Sequence, residues 1–388
     1  MILDQVERRA RWVLDSIGAR DVGFGDDVPY NAAAWEQVER GDLPAEDDVA
    51  AGFFHLARVE ERDGPRDEHG RFRAEWSRLD PLDPPLERLR RRLGLKDEGF
   101  AIALTHDVDT PWRWTRIGLR GSAARLKRNV LQVRAAPAFR EATALAAAPV
   151  HRVRGTDPNW RFREILDRER VGSTFFVLAG HNDPHDGAAP DRYDEVRPRL
   201  VETIRDAGGE IGLHGSYTAA EDPRRLADEQ AKLEALAGPV LGQRYHYLRV
   251  EPHRNLARLP FRYDTTLGFP DAVGFRAGIA RPFHPWDFER DAPAEVLEIP
   301  LAAMDATLAE ERYLGLSAKR AEPQLRALLD WAAANGGAFA VLWHPDRFDP
   351  LTSGGWDRLY WKFLDEVQAR GGVCMSAREL SSHSTWSK

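Results

Sequence analysis

Beyond Phe100 the chain alternates between short, nearly unbroken apolar runs and longer stretches in which apolar residues recur among charges. The first pattern suits strands buried on both faces and the second suits helices that cover them, so the alternation predicts βα units around a parallel sheet. Strands are predicted at Ala101–Leu104, Ser173–Leu178, Glu210–Leu213, Tyr245–Val250, Arg262–Thr266, Glu295–Ile299, Ala338–Trp343 and Val373–Met375. Helices are predicted at Asn159–Arg170, with Gly172 as its stop, and at Arg192–Ala207, Pro223–Ala237, Pro323–Ala334 and Trp356–Arg370. This arrangement predicts an α/β fold, an irregular (β/α) barrel of seven to eight strands with an N-terminal extension.

Residues 1–95 have a different texture. They are charged and broken by Pro81, Pro84 and Pro85, and they carry no chemical motif. The reading is an N-terminal region of unknown role, 1–95, followed by the barrel, 96–388. Trp35, Phe53, Phe54 and Trp76 predict that the extension packs on something.

Composition narrows the function classes. The chain has 388 residues, 43% of them hydrophobic, which is enough for one large core. A net charge of −7 with no chain-wide basic excess argues against nucleic acid as the partner. The single cysteine, Cys374, makes no internal disulfide, and charges interrupt Met1–Arg20 where a secretory signal needs an apolar stretch. No apolar run of about 20 residues is present, so no membrane span is expected and the cytoplasm is the expected location.

One segment departs from this average. Residues 113–140 carry Arg113, Arg116, Arg120, Arg125, Lys127, Arg128, Arg134 and Arg140 with no acidic residue among them. Such a run reads as a solvated helix face or as a weak contact for an anionic polymer or membrane surface.

In a parallel barrel, reactive groups gather where strands end. Four predicted strand ends are rich in polar groups: His106, Asp107 and Asp109; His214, Ser216 and Thr218; Arg249, Glu251 and His253; and His344, Asp346 and Asp349. Asp107 and Asp109 are alternate residues of an extended segment, so both side chains reach one site. One carboxylate can then hold a metal while the other accepts a proton from water activated beside it. His214 offers the imidazole that transition metals prefer, and His344 can protonate a leaving amine. Taken singly, each of these residues is as readily a cap, a turn former or a structural histidine. Their joint occurrence at four strand ends points to a metal-assisted hydrolase.

These motifs resemble those of the polysaccharide deacetylases with the NodB homology domain, carbohydrate esterase family 4, over roughly residues 98–380. THDVD at 105–109 is similar to the family's first motif, which implies Asp107 as catalytic base and Asp109 as metal ligand. STFFVLAG at 173–180 resembles its second barrel strand. EIGLHGSYT at 210–218 resembles the second motif, which implies His214 as a ligand but places Thr218 where a second histidine is expected. That leaves the third protein ligand open among His181, His185 and His253. Arg249 near Pro252 resembles, loosely, the arginine that orients the base. YDTTLGF at 263–269 and EIPLAAMD at 298–305 resemble segments of the branch with peptidoglycan and allantoin-type hydrolases. LWHPD at 342–346 resembles the closing motif and implies His344 as general acid.

The resemblance implies removal of N-acetyl groups from a carbohydrate, a polysaccharide or its precursor, with a divalent metal, zinc foremost and cobalt or nickel as alternatives. Trp343 and Ser216 are expected to line the substrate site. Two other readings remain: a hydrolase of small amides or ureides on the same barrel, which a narrow pocket closed by the N-terminal region would favour, and a catalytically silent carbohydrate binder.

Overall fold

The computed structural model describes residues 3–23, 31–44, 46–95, 99–181, 183–187, 190–250, 256 and 259–383. Among the described residues nine strands form one parallel sheet: β1 (Phe100–Val108), β2 (Thr174–Leu178), β3 (Glu210–Gly215), β4 (Gly242–Tyr245), β5 (Tyr263–Asp264), β8 (Leu297–Glu298), β9 (Leu301–Met304), β10 (Gly337–Leu342) and β11 (Val373–Met375). A separate two-stranded ribbon pairs β6 (Trp286–Asp287) with β7 (Ala292–Pro293). The sheet order is β8-β5-β4-β3-β2-β1-β10-β9, with β11 also beside β1. The two ends of this order, β8 and β9, are consecutive in the chain. The segment from 297 to 304 therefore pairs β5 with its first half and β10 with its second, which curls the sheet into the expected irregular barrel.

Helices α1 (Leu3–Ser16), α2 (Ala32–Glu39), α3 (Asp48–Leu56) and α4 (Pro85–Arg92) belong to the N-terminal region. Helices α5 (Arg116–Leu131) and α6 (Ala135–Arg154) form a hairpin between β1 and β2, and α7 (Phe162–Glu169) follows it. Helices α8 (Pro190–Asp206), α9 (Pro223–Ala237), α10 (Asp305–Ala309), α11 (Ala318–Asn335), α12 (Trp356–Ala369) and α13 (Ala377–Ser382) complete the chain. Strands β1, β2 and β10 are buried on both faces because helices cover the outside and the barrel fills its own interior, which explains their mostly apolar character.

The fourth strand is displaced from its predicted place. It runs over 242–245, and 246–248 is a single 3₁₀ turn in which Tyr247 and Leu248 have positive φ. The sequence Gly-Gln-Arg-Tyr gives no apolar signal, since its buried side chains bond to the barrel interior and do not simply fill it. Gly242 is obligatory there: a Cβ would lie 1.9 Å from Cζ of Tyr263 on the neighbouring strand.

The N-terminal region packs on the barrel rather than around a centre of its own. Val13, Phe53 and Leu86 lie in one apolar cluster with Phe275, Ile279 and Trp286. The Trp12 and Trp286 rings sit 5.0 Å apart, and the Trp12 indole donates to the carbonyl of His284 at 2.9 Å. Two buried ion pairs join the parts: Arg276 donates to both oxygens of Glu61 at 2.8 Å, and Arg281 to Glu87 at 3.0–3.1 Å.

Candidate metal centre and active site

β1 delivers Asp107 and Asp109 to the end of the barrel where its parallel strands finish, and the neighbouring strands bring the remaining groups to the same place. His214 stands near the end of β3, His246 one residue past β4, and His344 two residues past β10. Asp109, His214 and His246 each offer an atom within 4.8 Å of the others. Nε2 of His214 is 3.3 Å from Oδ1 of Asp109, and Nε2 of His246 is 3.7 Å from its Oδ2.

Hydrogen bonds on the far ring nitrogens fix which atoms face this point. Nδ1 of His214 lies 2.9 Å from the carbonyl oxygen of Arg244, and Nδ1 of His246 lies 3.2 Å from a carboxylate oxygen of the fully buried Asp186. Both partners are acceptors, so both Nδ1 atoms carry the proton and both Nε2 lone pairs turn inward. Nε2 of His214 and Oδ1 of Asp109 are buried yet have no hydrogen-bond partner. Orphaned polar atoms at such a depth are costly unless something else satisfies them, and two imidazoles with one carboxylate are a donor set for zinc or another transition ion. The residues present therefore fit the divalent metal that the sequence motifs implied.

The electrostatics agree. Burial opposes ionisation of Asp109, but His246, His214 and His344 around it outweigh that and hold its carboxyl well below the usual range. Burial also opposes the charge on His246, and Asp109 with Asp186 overcomes it, pushing the imidazole to about 9. Without a metal that value places a second proton on His246, and the carboxylates that favour this proton would equally favour a metal cation in its place.

Asp107 stands beside the metal point with Oδ2 3.6 Å from Nε2 of His214. Its other oxygen accepts a 2.7 Å hydrogen bond from Arg244, which is wholly buried, donates to Thr105 and Thr265 as well, and lies 4.6 Å over the Phe176 ring. Opposite, His344 has Nδ1 2.6 Å from Oδ1 of Asp305, while its Nε2 reaches within 3.6 Å of Asp109. Asp305 is fully buried; burial would raise its carboxyl, but His344 and Arg347 hold it below the ordinary range. Desolvation works against His344 too, and Asp305, with Asp109 and Asp107 beyond it, overrides this and pushes the imidazole to about 10.

Several residues named from the sequence lie elsewhere. Arg249 does not approach Asp107; its guanidinium bonds the carbonyls of His69 and Tyr217, pairs with Glu221, and lies 4.0 Å over the Tyr217 ring. The displaced fourth strand explains the exchange, because it puts Arg244 inside the barrel and leaves Arg249 outside the turn that follows. Trp343 is buried and faces away from His344, packed on Trp356 and Tyr360, so it offers no surface to a sugar. Ser216 is fully buried, with its hydroxyl and amide both bonded to Glu229. Thr218 sits in a turn.

Of the three histidines considered for the third ligand, His181 packs on Tyr193 beside Asp194, His185 stacks on Tyr217 and bonds Asp183, and His253 lies outside the described residues. The histidine that stands beside Asp109 and His214 is His246. Its signal in the sequence was one residue from the predicted strand start, at Tyr245. Asp305 was within a quoted motif, and only the fold shows that it reaches His344.

The site opens into a cleft of about 240 Å³. Besides the residues above, Tyr247, Tyr313, Arg312 and Met304 line it, and so does Arg71 from the N-terminal region. Arg71 is fixed there by Asp67 and by the Tyr313 hydroxyl at 2.7 Å.

No protein-family model matches the chain, and no curated protein matches it in sequence. Solved structures to which its fold is similar include the Puue allantoinase, with TM-score 0.47 and 14% identity over 82% of this chain and 96% of that one. The chitin deacetylase of the fungal pathogen Colletotrichum lindemuthianum aligns with TM-score 0.39 and 13% identity over 76% and 93% of the two chains. A carbohydrate esterase family 4 pseudoenzyme from Bacillus anthracis aligns with TM-score 0.34 and 14% identity over 73% and 66%.

Proposed function

We propose that this protein is a metal-dependent hydrolase of amide bonds that removes N-acetyl groups from a carbohydrate. The observation that carries the reading is the pair of buried, partnerless atoms, Oδ1 of Asp109 and Nε2 of His214, facing Nε2 of His246 between two differently held groups, Asp107 and His344. Asp109, His214 and His246 would hold the metal, which when bound polarises a carbonyl oxygen and acidifies water. Zinc suits the donor set, as do cobalt and nickel.

The rest of the chemistry falls to the chain. Asp107 accepts the proton of the attacking water, and the hydrogen bond from Arg244 keeps that carboxylate aimed. His344 holds its Nδ1 proton against Asp305, so the Nε2 proton faces the site and passes to the departing amine nitrogen. Opposite roles for a carboxylate and an imidazole follow from their different partners, an arginine for one and an aspartate for the other.

A second reading is favoured by one observation. The cleft is small for a polymer subsite, and Arg71 of the N-terminal region closes one side of it, an arrangement that suits a small amide or ureide. Silent carbohydrate binding loses its ground, which was an absent third ligand, once His246 stands at the metal point. The deciding experiment offers the metal-loaded protein N-acetylated oligosaccharides, N-acetylated monosaccharides and small ureides side by side. Acetate release from the sugars supports the first reading, and ammonia or urea release from the ureides alone supports the second.

A further inference from the structure

The α5–α6 hairpin takes no part in the site, and its surface is unlike the rest of the molecule. Leu119, Ala123, Leu126 and Val130 recur at helical spacing along α5, and Phe139, Ala142, Ala146, Val150 and Val153 do the same along α6. Most of these side chains are exposed: Phe139 by 73%, Val153 by 89% and, between them at the turn, Leu131 by 72% and Val133 by 88%. A stripe that a helix ordinarily buries against its own protein here faces outward.

Cations flank the stripe. Arg116, Arg120, Lys127, Arg128, Arg152 and Arg154 make no ion pair or side-chain hydrogen bond among the described residues. Glu141 is the one acidic residue between 113 and 154, and Arg113 and Arg125 already neutralise it. Apolar side chains beside unpaired arginines and lysine are the composition of a helix that lies in a membrane interface. The chain as a whole carries −7, so a negative surface repels the rest of the molecule and attracts this element.

From this we infer that the hairpin docks the protein on an anionic phospholipid bilayer, with the apolar stripes in the headgroup boundary and the free cations on the lipid phosphates. No helix among the described residues is long and apolar enough to cross a membrane, so the contact is peripheral. The hairpin leaves β1 seven residues after Asp109, and Arg134 at its turn pairs with Glu311, next to Glu310 and Arg312 of the cleft. Docking therefore brings the open end of the barrel to the lipid surface.

Vesicle co-sedimentation of the full chain tests this without reading activity, so its outcome is independent of the hydrolase assignment. The probes are vesicles of phosphatidylcholine alone and with about one third phosphatidylglycerol, at about 0.05 and 0.3 M salt. The protein is expected to bind only the anionic vesicles and to be released by salt. Arg116→Glu, Arg120→Glu, Lys127→Glu and Arg128→Glu together are expected to lower partitioning by about 100-fold or more, each cation being worth about fivefold. Phe139→Ser with Val153→Ser is expected to lower it about tenfold and to steepen the salt dependence. Arg326→Glu on α11 serves as a charge control and leaves binding unchanged. A Phe139→Trp protein reports insertion by a blue shift on anionic vesicles. Equal binding to both vesicle types, no binding at low salt, or an unshifted tryptophan overturns the proposal. So does a dimer in solution that Phe139→Ser with Val153→Ser converts to monomer while the wild type ignores vesicles, since a second copy is then what covers the stripes.

Discussion

The Arg244 guanidinium and the Asp107 carboxylate meet at 2.7 Å inside the barrel, where neither is open to solvent. Because Arg244 also bonds Thr105 and Thr265, the carboxylate is held by a group that is itself immobile. Arg244→Lys keeps a charge but loses the fork, and it is expected to lower kcat by about 100-fold with little change in metal content. Arg249→Ala, which disturbs only the outer contacts with Tyr217 and Glu221, is expected to leave kcat within about threefold. Comparing the two variants by steady-state kinetics decides which arginine serves the base.

The carboxylates of β1 separate by role. Asp107→Asn is expected to abolish turnover while metal content by elemental analysis stays near that of the wild type, whereas Asp109→Asn lowers both. Equal metal loss in the two variants contradicts the division.

His246 is expected to be a ligand and Thr218 is not. His246→Ala should weaken zinc binding by at least about 100-fold in a competition titration, with Thr218→Ala indistinguishable from wild type. Retained affinity in His246→Ala would move the third ligand elsewhere.

How much of this was legible in the sequence depends on how each strand carries its signal. Strands β1, β2, β3 and β10 announce themselves as apolar runs, and the groups at their ends, Asp107, Asp109, His214 and His344, fall where the sequence places them. β4 gives no such signal because its buried residues, Gln243 and Arg244, are polar, and the nearest apolar pattern starts three residues downstream of the true strand. That single shift exchanged Arg249 for Arg244 and hid His246 inside a supposed strand. Adjacency to His344 suggests a rim position for Trp343, yet neighbours in an extended segment point to opposite faces and Trp343 is buried. β9 and the service of Asp305 to His344 depend on how the 297–304 segment closes the barrel, which no local pattern encodes.

The His344–Asp305 pair sets an alkaline limit. With Asp305 beside it, His344 keeps its proton up to about 10, and a bound dication lowers that value from there. Asp305→Asn removes the main support, so the alkaline limb of the pH–kcat profile is expected to move down by about one unit or more, with a lower maximum. In the metal-free protein the raised value means that the His344 contribution is fully present below about 6.5, the ordinary histidine value, and is lost as pH rises through about 10, while Asp305, held below its ordinary range, contributes only above that range. Thermal melts of chelated wild type and Asp305→Asn should therefore differ most in weakly acid to neutral buffer, where Asp305 is ionised and His344 protonated, and converge in alkali.

Glu61 tests how the N-terminal region is anchored. Burial opposes its charge, but Arg276 and Arg58 hold its carboxyl down at about 2. A depressed value gives stability that is present above the ordinary carboxylate range and lost as pH falls toward 2. Glu61→Gln leaves two buried arginines short of a partner and is expected to cost about 3 kcal/mol in urea unfolding at neutral pH, less at acid pH. No difference at neutral pH would show that the pair contributes nothing to the junction.

The most direct test is acetate release from N-acetylated oligosaccharides by the purified wild type and the His246→Ala protein, before and after chelation and with zinc, cobalt or nickel restored. The account predicts release by wild type that stops with chelator and returns with metal, and none by His246→Ala at matched metal. Absence of release with every metal, or release indifferent to chelator, would contradict it.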